Sequence, residues 1–236
     1  MTFIYKRIVL KISGEVIKGF NKLSYENDIL KNIIQEVKEL ILQGVEISIV
    51  IGGGNLFRGS SLSKMDINRV TADYIGMLST VINGLFLKDL FNKINVPVCL
   101  MSSVLIHNMC NTYNLDKAKM LLSKSVVVIF CGGMGHPYFT TDSAACLKAI
   151  ETQSDIILKG TTVDGVYSKD PKYYNDVILY NKLSYNDILS QELKVMDLTA
   201  FILARDHKIP ICIFNIYTKN VLKKILQGYK IGTMVL

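Results

Sequence analysis

Short apolar runs that end in glycine-rich turns recur along the chain, and each turn leads into a helix-like segment. The run at residues 126–130 is followed by the sequence GGMGHPYFTTDSAA at 132–145, and a helical pattern covers residues 143–151. Glycines let backbone N–H groups approach an anion closely, and a helix N-terminus favours negative charge. The stretch therefore indicates an anion site, although an ordinary strand–turn–helix connection explains it equally well when it is taken alone.

The alternation of strand-like runs and helix-like segments extends through most of the chain. This order predicts a mostly parallel sheet with helices on both faces, and such sheets bind ligands at the carboxyl ends of their strands. We therefore predict an α/β fold, a three-layer α-β-α sandwich with a mostly parallel central sheet. Strands are predicted at residues 7–13, 45–51, 96–101, 126–130, 154–158 and 211–214, and helices at 25–43, 68–93, 115–123, 143–151, 195–207 and 218–227.

Cap and turn signals set the ends of several predicted elements. Ser24 is a candidate N-cap for the helix at residues 25–43, and Gly44 is a candidate stop after it. The serine and aspartate at the two ends of residues 184–187 form a capping pattern. The Asp-Gly pair at residues 164–165 predicts a tight hairpin turn.

Length and composition narrow the class of protein. The chain has 236 residues, half of them hydrophobic, which is enough to bury a sizeable core. Since no linker-like stretch interrupts it, we expect one domain over residues 1–236, with an N-terminal lobe over about 1–150 and a C-terminal lobe over about 151–236. Five scattered cysteines without a CxxC pair are typical of a reducing compartment, and they predict neither a metal site nor disulfides.

Charge and targeting signals bear on the partners. The net charge of +7 comes from dispersed lysines and arginines, which suits small anionic substrates better than nucleic acid. No apolar run in the sequence is expected to cross a bilayer, and the N-terminus lacks the features of a signal peptide. We therefore expect a cytoplasmic protein with neither nucleic acid nor a membrane as partner.

Three further junctions carry groups suited to phosphate binding. Lys11 stands near the end of the first strand before a Ser-Gly pair, where a simple edge lysine is the alternative. The glycines at 52–54 form a possible backbone nest and Arg58 a planar fork, where a structural turn is the alternative. The segment at 158–171 offers Lys159, an aromatic ring and an aspartate, and a solvated hairpin is the alternative there.

Other kinds of site receive less support. The glycine spacing at residues 54–60 is that of a Walker A loop, but a serine occupies the lysine position. His107 and His207 are isolated and are expected to be structural, whereas His136 lies within a candidate site. The sequence contains no Ser-His-Asp arrangement or metal-ligand spacing.

The four junctions, in this order, resemble those of the bacterial-type UMP kinases of the amino acid kinase superfamily. The resemblance runs nearly end to end, and its most specific parts are IGGGNLFRG, YFTTDSAA, VDGVY with a following DP, and ELKVMDLTAF with ARDH. It implies transfer of the γ-phosphoryl group of ATP to UMP, giving UDP and ADP, in pyrimidine biosynthesis. It also implies Mg²⁺ carried with ATP and a homo-oligomer, most simply a hexamer.

The resemblance also implies roles for individual residues, carried over by position, with no metal ligand on the protein. The catalytic set would be Lys11, Arg58, Asp142 and Lys159. The ATP-binding set would be Lys11, Ile12, Ser13, Gly14, Gly54, Arg58, Thr161, Tyr167 and Asp170. The UMP-binding set would be Gly53, Asp73, Met134, Gly135, His136, Pro137, Tyr138, Phe139, Thr140 and Thr141.

Three departures from the family pattern stand out. Met134 replaces a usual threonine and His136 a usual asparagine, both in the stretch that the resemblance assigns to UMP. The segment at 19–23 lacks the glycine-rich form associated with a GTP effector site. Two rival functions stay open: a carbamate or amino-acid kinase that forms an acyl phosphate, and a nucleotide-sensing or RNA-associated protein that binds UMP without catalysis.

The helix predicted at residues 68–93 has a wider apolar arc than packing on one sheet requires. We expect its surplus face to be covered by a second subunit across a two-fold axis, and Val81→Glu to dissociate the assembly. Coverage by another part of the same chain is the alternative. The apolar positions on one face are Tyr74, Leu78, Val81 and Leu85, those on another are Met77, Leu87 and Phe91, and Ile75, Ile82 and Phe86 lie between.

Overall fold

The computed structural model describes residues 3–21, 28–57, 66–174, 176–193 and 195–236, apart from the side chains of 18–21 and 28. The predicted N-cap Ser24 and the end of the 19–23 segment lie outside these residues. After the first strand a 3-10 helix covers Gly14–Asn21. The strands are β1 (Arg7–Ile12), β2 (Glu46–Ile51), β3 (Val98–Ser102), β4 (Asn111–Thr112), β5 (Val127–Cys131), β6 (Ile156–Thr161), β7 (Val166–Tyr167), β8 (Leu179–Tyr180), β9 (Lys182–Leu183), β10 (Ile211–Asn215) and β11 (Thr233–Val235).

Helices connect most of these strands, which is the order that the sequence predicted. Asn68 caps the second helix by accepting a hydrogen bond from the backbone N–H of Val70 at 2.9 Å. The capping box at residues 184–187 is present, and Gly44 ends the first helix with a φ of 86°. The α-helices are α1 (Asp28–Leu42), α2 (Arg69–Lys93), α3 (Leu115–Ser123), α4 (Thr141–Thr152), α5 (Tyr185–Ser190), α6 (Leu198–Asp206) and α7 (Val221–Leu226).

Within the described residues, nine strands form one sheet in the order β4-β3-β5-β2-β1-β6-β10-β11-β9. Every neighbouring pair in this sheet is parallel except β10 with β11. Helices α1, α2 and α7 cover one face, and α3, α4, α5 and α6 cover the other. The predicted three-layer sandwich with a mostly parallel sheet is therefore confirmed.

The predicted hairpin at residues 164–165 is wrong. Strand β7 pairs in antiparallel fashion with β8, more than ten residues further along the chain, in a separate two-stranded sheet. Asp164 instead accepts a hydrogen bond from the side chain of Asn215 at 2.9 Å. An Asp-Gly pair favours a tight turn locally, but here a contact to the end of β10 decides the course of the backbone.

The five cysteines differ in burial. All five are free thiols; Cys131, Cys146 and Cys212 are buried, whereas Cys99 and Cys110 are partly exposed. Burial raises the pKa of Cys131 to about 12, so this thiol stays protonated at neutral pH.

Helix α2 exposes an apolar stripe, but its members differ in part from those expected. Tyr74, Leu78 and Ile82 are about half exposed, whereas Val81 is only 3% exposed and packs in the core. The proposed substitution Val81→Glu was therefore wrong as a test of assembly, because it would place a charge in the core. The stripe follows the i, i+4, i+8 spacing of one helix face.

The same helix bears on a second expectation, that no apolar run crosses a bilayer. By length and composition alone, α2 is long and apolar enough to cross a bilayer, and 44% of its most apolar window is buried inside the protein. A core helix meets the same criterion, so the expectation that no apolar run crosses a bilayer stays a prediction. One side of α2 packs against the sheet and carries the buried polar residues Ser79, Thr80 and Asn83, as in a core helix.

Candidate active site

Strand parity places Lys11 and Lys159 on the same face of the sheet. Side chains alternate along a strand, so Lys11 shares the face of Val9 and Lys159 shares the face of Ile157. This is the face that α4 covers. The two lysines also stand opposite each other in the parallel register of β1 and β6. The fold therefore brings together two ammonium groups that are far apart in sequence.

Asp142 joins the two lysines from the first turn of α4. Its Oδ1 lies 2.7 Å from Nζ of Lys11, and its Oδ2 lies 2.6 Å from Nζ of Lys159. The three side chains are only 9 to 13% exposed. Lys159 also donates a hydrogen bond to the backbone carbonyl of Val195. Two cations and one carboxylate leave a net positive charge, which favours an anion at this edge of the sheet.

Burial and mutual attraction set the pKa values of this trio. Burial by itself raises the pKa of Asp142, but the ammonium groups of Lys11 and Lys159 outweigh it and hold the pKa below its ordinary value. Burial lowers the pKa of Lys159 below its ordinary value, although Asp142 offsets part of that effect. The carboxylate therefore stays ionised at neutral pH, and Lys159 loses its proton at a lower pH than an exposed lysine.

The glycine turn after β2 packs against the turn after β1. A Cβ atom on Gly14 would lie 2.7 Å from the backbone nitrogen of Gly54, so only glycine permits this approach. Asn83 of α2 is fully buried and donates to the carbonyl of Gly52 at 2.7 Å and to the side chain of Asn55 at 2.7 Å. These contacts hold the loop at 52–55 beside Ser13 and Gly14, as their shared place at the carboxyl ends of β1 and β2 predicts.

The glycine turn after β5 is held by the same helix. The backbone N–H of Gly132 donates to Oγ1 of Thr80 at 2.7 Å, and Ser103 donates to the carbonyl of Gly133 at 2.9 Å. Gly132, Gly133 and Gly135 have positive φ angles, and so does Tyr138 at 69°. A positive φ is uncommon for a residue with a side chain, so surrounding contacts must hold this backbone in place.

A cavity of about 610 Å³ lies between these two turns and α2. Most of the residues predicted to bind UMP line this cavity, but Gly135, Pro137 and Tyr138 do not. Gly54, which was predicted to bind ATP, also lines the cavity. The predicted residues in the lining are Gly53, Asp73, Met134, His136, Phe139, Thr140 and Thr141, and those that were not predicted are Phe57, Arg69, Ala72, Gly76, Met77, Thr80 and Gly133.

Asp73 is fixed at the wall of this cavity. Its Oδ2 accepts hydrogen bonds from the backbone N–H of Tyr138 at 2.7 Å and from Nε of Arg69 at 2.8 Å. The guanidinium of Arg69 also lies over the ring of Tyr138, 5.3 Å from its centroid. These contacts connect α2 with the turn after β5 across the cavity rim.

Asp197 connects the start of α4 with the start of α6. It accepts hydrogen bonds from the hydroxyls of Thr140 and Ser143, the latter at 2.7 Å, and from the backbone N–H of Ala200 at 2.9 Å. Because Asp197 is an N-cap, α6 begins three residues later than predicted. Thr140 and Ser143 flank Asp142 in sequence, so Asp197 braces the turn that carries the buried carboxylate.

The residues predicted to hold the ATP nucleoside lie at the end of β6 and on the segment that follows it. Thr161 ends β6, and its hydroxyl donates to the carbonyl of Val163 at 2.7 Å. Tyr167 is in β7, and Asp170 accepts a hydrogen bond from the backbone N–H of Lys172 at 2.9 Å. Arg58, predicted to contact the transferring phosphate, lies outside the described residues.

A comparison of the whole sequence with known families matches the model of the amino acid kinase family over residues 6–215. The chain belongs to the amino acid kinase family.

Relatives of this amino acid kinase are similar over their whole length. A protein of Buchnera aphidicola subsp. Acyrthosiphon pisum named uridylate kinase is 54% identical over 234 residues, covering 99% of this chain and 97% of that protein. The uridylate kinase of Blochmanniella pennsylvanica is 52% identical, with 98% and 96% covered. The crystal structure of UMP kinase from Bacillus anthracis is 39% identical and superposes with a TM-score of 0.92, covering 98% of this chain and 96% of that one.

Several site residues of this amino acid kinase were missed in the sequence. Thr80 and Asn83 are polar positions on the sheet-facing side of an otherwise apolar helix, and that pattern was a signal of a role beyond packing. Arg69 and Asp197 stand at or next to helix starts, where a capping or surface role explains a charged residue equally well.

Proposed function

We propose that this amino acid kinase is a UMP kinase, which transfers the γ-phosphoryl group of ATP to UMP to give UDP and ADP in pyrimidine nucleotide biosynthesis. The observation that carries the proposal is the buried Lys11–Asp142–Lys159 trio beside a cavity lined by two glycine turns and Asp73. Relatives at 52 to 54% identity that are named uridylate kinase support the choice of substrate.

The trio suits phosphoryl transfer between two anions. Such transfer needs alignment of the two phosphates and neutralisation of the charge on the moving group. Lys11 and Lys159 supply fixed positive charge in a mostly buried place, and Asp142 holds both ammonium groups in position. The phosphate of UMP is already an anionic nucleophile, so no side-chain base is required.

The Mg²⁺ ion is proposed to arrive bound to the phosphates of ATP. Asp142 is the carboxylate in the trio, and both of its oxygens contact lysines, so it is a poor ligand for a metal in this arrangement. In this proposal the ion belongs to the nucleotide substrate.

The remaining assignments concern the binding of the two substrates. Lys11, Ile12, Ser13, Gly14 and Gly54 are proposed to hold the ATP phosphates with Arg58, and Thr161, Tyr167 and Asp170 the ATP nucleoside. Gly53, Asp73 and residues 134–141 are proposed to hold UMP. The chain is proposed to work in the cytoplasm as one domain, with an N-terminal lobe over about 1–150 and a C-terminal lobe over about 151–236.

We expect kcat/KM to be at least about 10²-fold higher with UMP than with CMP. Groups in the turn after β5 are fixed by hydrogen bonds, and a base with the wrong donor and acceptor pattern leaves them unpaired. A coupled assay of ADP release across UMP, CMP, dTMP and small carboxylates measures this. Phosphorylation of a carboxylate in preference to UMP would identify an acyl-phosphate kinase, and equal use of UMP and CMP would show that Met134 and His136 widen the site.

A homo-oligomer is proposed from the apolar stripe on α2, and the resemblance to bacterial-type UMP kinases makes a hexamer of three dimers its expected form. We expect light scattering at micromolar concentration to give a mass well above that of one chain, and Leu78→Glu to lower it by placing a charge within the stripe. Leu42→Glu is the matched control, because Leu42 is 77% exposed at the end of α1 and outside the stripe. A wild-type monomer, or equal effects of the two substitutions, would contradict this interface.

A further inference from the structure

Two i, i+4 ion pairs on α2 have the same length but different surroundings. Arg69 Nε lies 2.8 Å from Asp73, and Lys93 Nζ lies 2.8 Å from Asp89. Both side chains of the second pair are more than half exposed, whereas that of Asp73 is only 14% exposed. An exposed pair such as Lys93–Asp89 contributes little to stability. The Arg69–Asp73 pair is less exposed and lies at the cavity, so its geometry can affect ligand binding.

The contacts of Asp73 are confined to one of its two oxygens. Oδ2 accepts from both Arg69 Nε and the backbone N–H of Tyr138, while within the described part of the chain no donor contacts Oδ1. Two donors on one oxygen define the plane and the direction of the carboxylate, which a single donor would leave able to turn. Because Asp73 lines the cavity, its second oxygen is available as an acceptor for a bound ligand.

Arg69 is itself held in this arrangement. Its guanidinium lies over the ring of Tyr138, and the positive φ of Tyr138 directs the backbone N–H of that residue at Asp73. Arg69 therefore contacts both the carboxylate and the residue that provides the other donor. Removing its side chain would loosen the carboxylate without removing it.

We infer that Arg69 is a positioning residue for ribose recognition: it fixes the carboxylate of Asp73 so that Oδ1 accepts a hydrogen bond from a ribose hydroxyl of the nucleoside monophosphate. The inference rests on the proposed function for the identity of the nucleotide, and the resemblance to bacterial-type UMP kinases implies the contact of Asp73 with the ribose; the role of Arg69 is the new step. A carboxylate is an acceptor, so a sugar hydroxyl is a matching donor, and a deoxynucleotide leaves that acceptor unpaired. Arg69 is thereby a determinant of selectivity for ribonucleotides.

The test compares UMP with its 2′-deoxy and 3′-deoxy analogues in the wild type and in Arg69→Met. We expect the wild type to prefer UMP by at least about tenfold in kcat/KM over one of the two analogues, as a hydrogen bond to a charged group predicts. In Arg69→Met we expect that preference to fall to about threefold or less. The fall is expected to come from a lower kcat/KM for UMP, caused mostly by a higher KM. Lys93→Met, which removes the other ion pair of α2, is expected to leave the preference unchanged.

A double-mutant cycle with Asp73 separates the positioning role of Arg69 from any other role of this residue. In an Asp73→Asn background, Arg69→Met is expected to change the preference by less than about twofold, because the carboxylate on which it acts is gone. Equal losses for UMP and both deoxy analogues would overturn the inference, since they would show a direct phosphate contact or a general structural effect. Retention of the full preference in Arg69→Met would overturn it as well.

The proposed function and this inference fail in different ways. If the wild type forms no UDP from UMP and ATP, the proposed function is wrong, and the ribose preference is then measured by calorimetric titration with UMP and the deoxy analogues. A wild type that forms UDP but binds all three nucleotides equally keeps the proposed function and overturns the inference.

Discussion

Lys11→Ala is expected to fold and to lose about 10²-fold or more in kcat. The ammonium group of Lys11 is fixed 2.7 Å from Asp142 in a mostly buried place, where a positive charge acts strongly on a developing negative charge. Truncation to alanine removes that charge and leaves the strand intact, because Lys11 pairs through its backbone in β1. The measurement is steady-state UDP formation, with far-ultraviolet circular dichroism as the check on folding.

Lys6→Ala is the matched control for this variant. Lys6 is an exposed lysine one residue before β1, and its backbone N–H is the group that contacts Asp155, so the substitution keeps that contact. We expect Lys6→Ala to retain nearly full turnover. A folded Lys11→Ala protein with near-normal kcat would remove Lys11 from the catalytic set.

Asp142→Ala is expected to lower the free energy of unfolding by about 3–5 kcal/mol. It leaves two buried ammonium groups facing each other without the carboxylate that pairs with both. The pKa of Asp142 in the folded chain lies below its ordinary value of 3.8, so its stabilising contribution is complete above pH 3.8 and is lost as the pH falls through the lowered value. Urea unfolding at neutral pH measures the difference.

Asp89→Ala provides the control for this second prediction. Asp89 also pairs with a lysine, at 2.8 Å, but its side chain is 59% exposed, so we expect a loss of about 0.5 kcal/mol or less. Asp142→Asn keeps the shape of the side chain and removes the charge, and a large loss is expected for it as well. Equal stabilities of the Asp142 and Asp89 variants would show that the trio is not a tightly coupled buried cluster.

Much of the fold could be predicted because the signals are local. Short continuous apolar runs in the strands, helical periodicity and glycine stops place most element boundaries within about two residues, as at residues 7–12 and 115–123. Short strands were not predicted, among them β4, β8, β9 and β11, because two or three residues show no periodicity. The failed turn at residues 164–165 shows a local preference overridden by a contact with β10.

Individual residues of the site could be predicted from the sequence better than their arrangement in space could. The glycine turns, Lys11 and Lys159 carry clear signals because a lysine or several glycines at a strand end are unusual for a buried sheet. Asn83, Asp197 and Arg69 were missed, since each has an ordinary explanation within its own helix or turn. Their importance comes from partners in sequence-distant segments, such as the hydroxyl of Ser143 for Asp197.

The sequence by itself determined the layers of the fold and which residue types stand at the strand ends, because both depend on periodicity within about ten residues. Tertiary structure decided which strands are neighbours, and the adjacency of β1 and β6 is what places Lys11 beside Lys159 with Asp142 between them. It also decided which side of α2 meets the sheet, since a helix with a wide apolar arc can pack in more than one rotation. The buried hydrogen bonds of Thr80 and Asn83 select one of those rotations, and they leave Leu78 rather than Val81 on the surface.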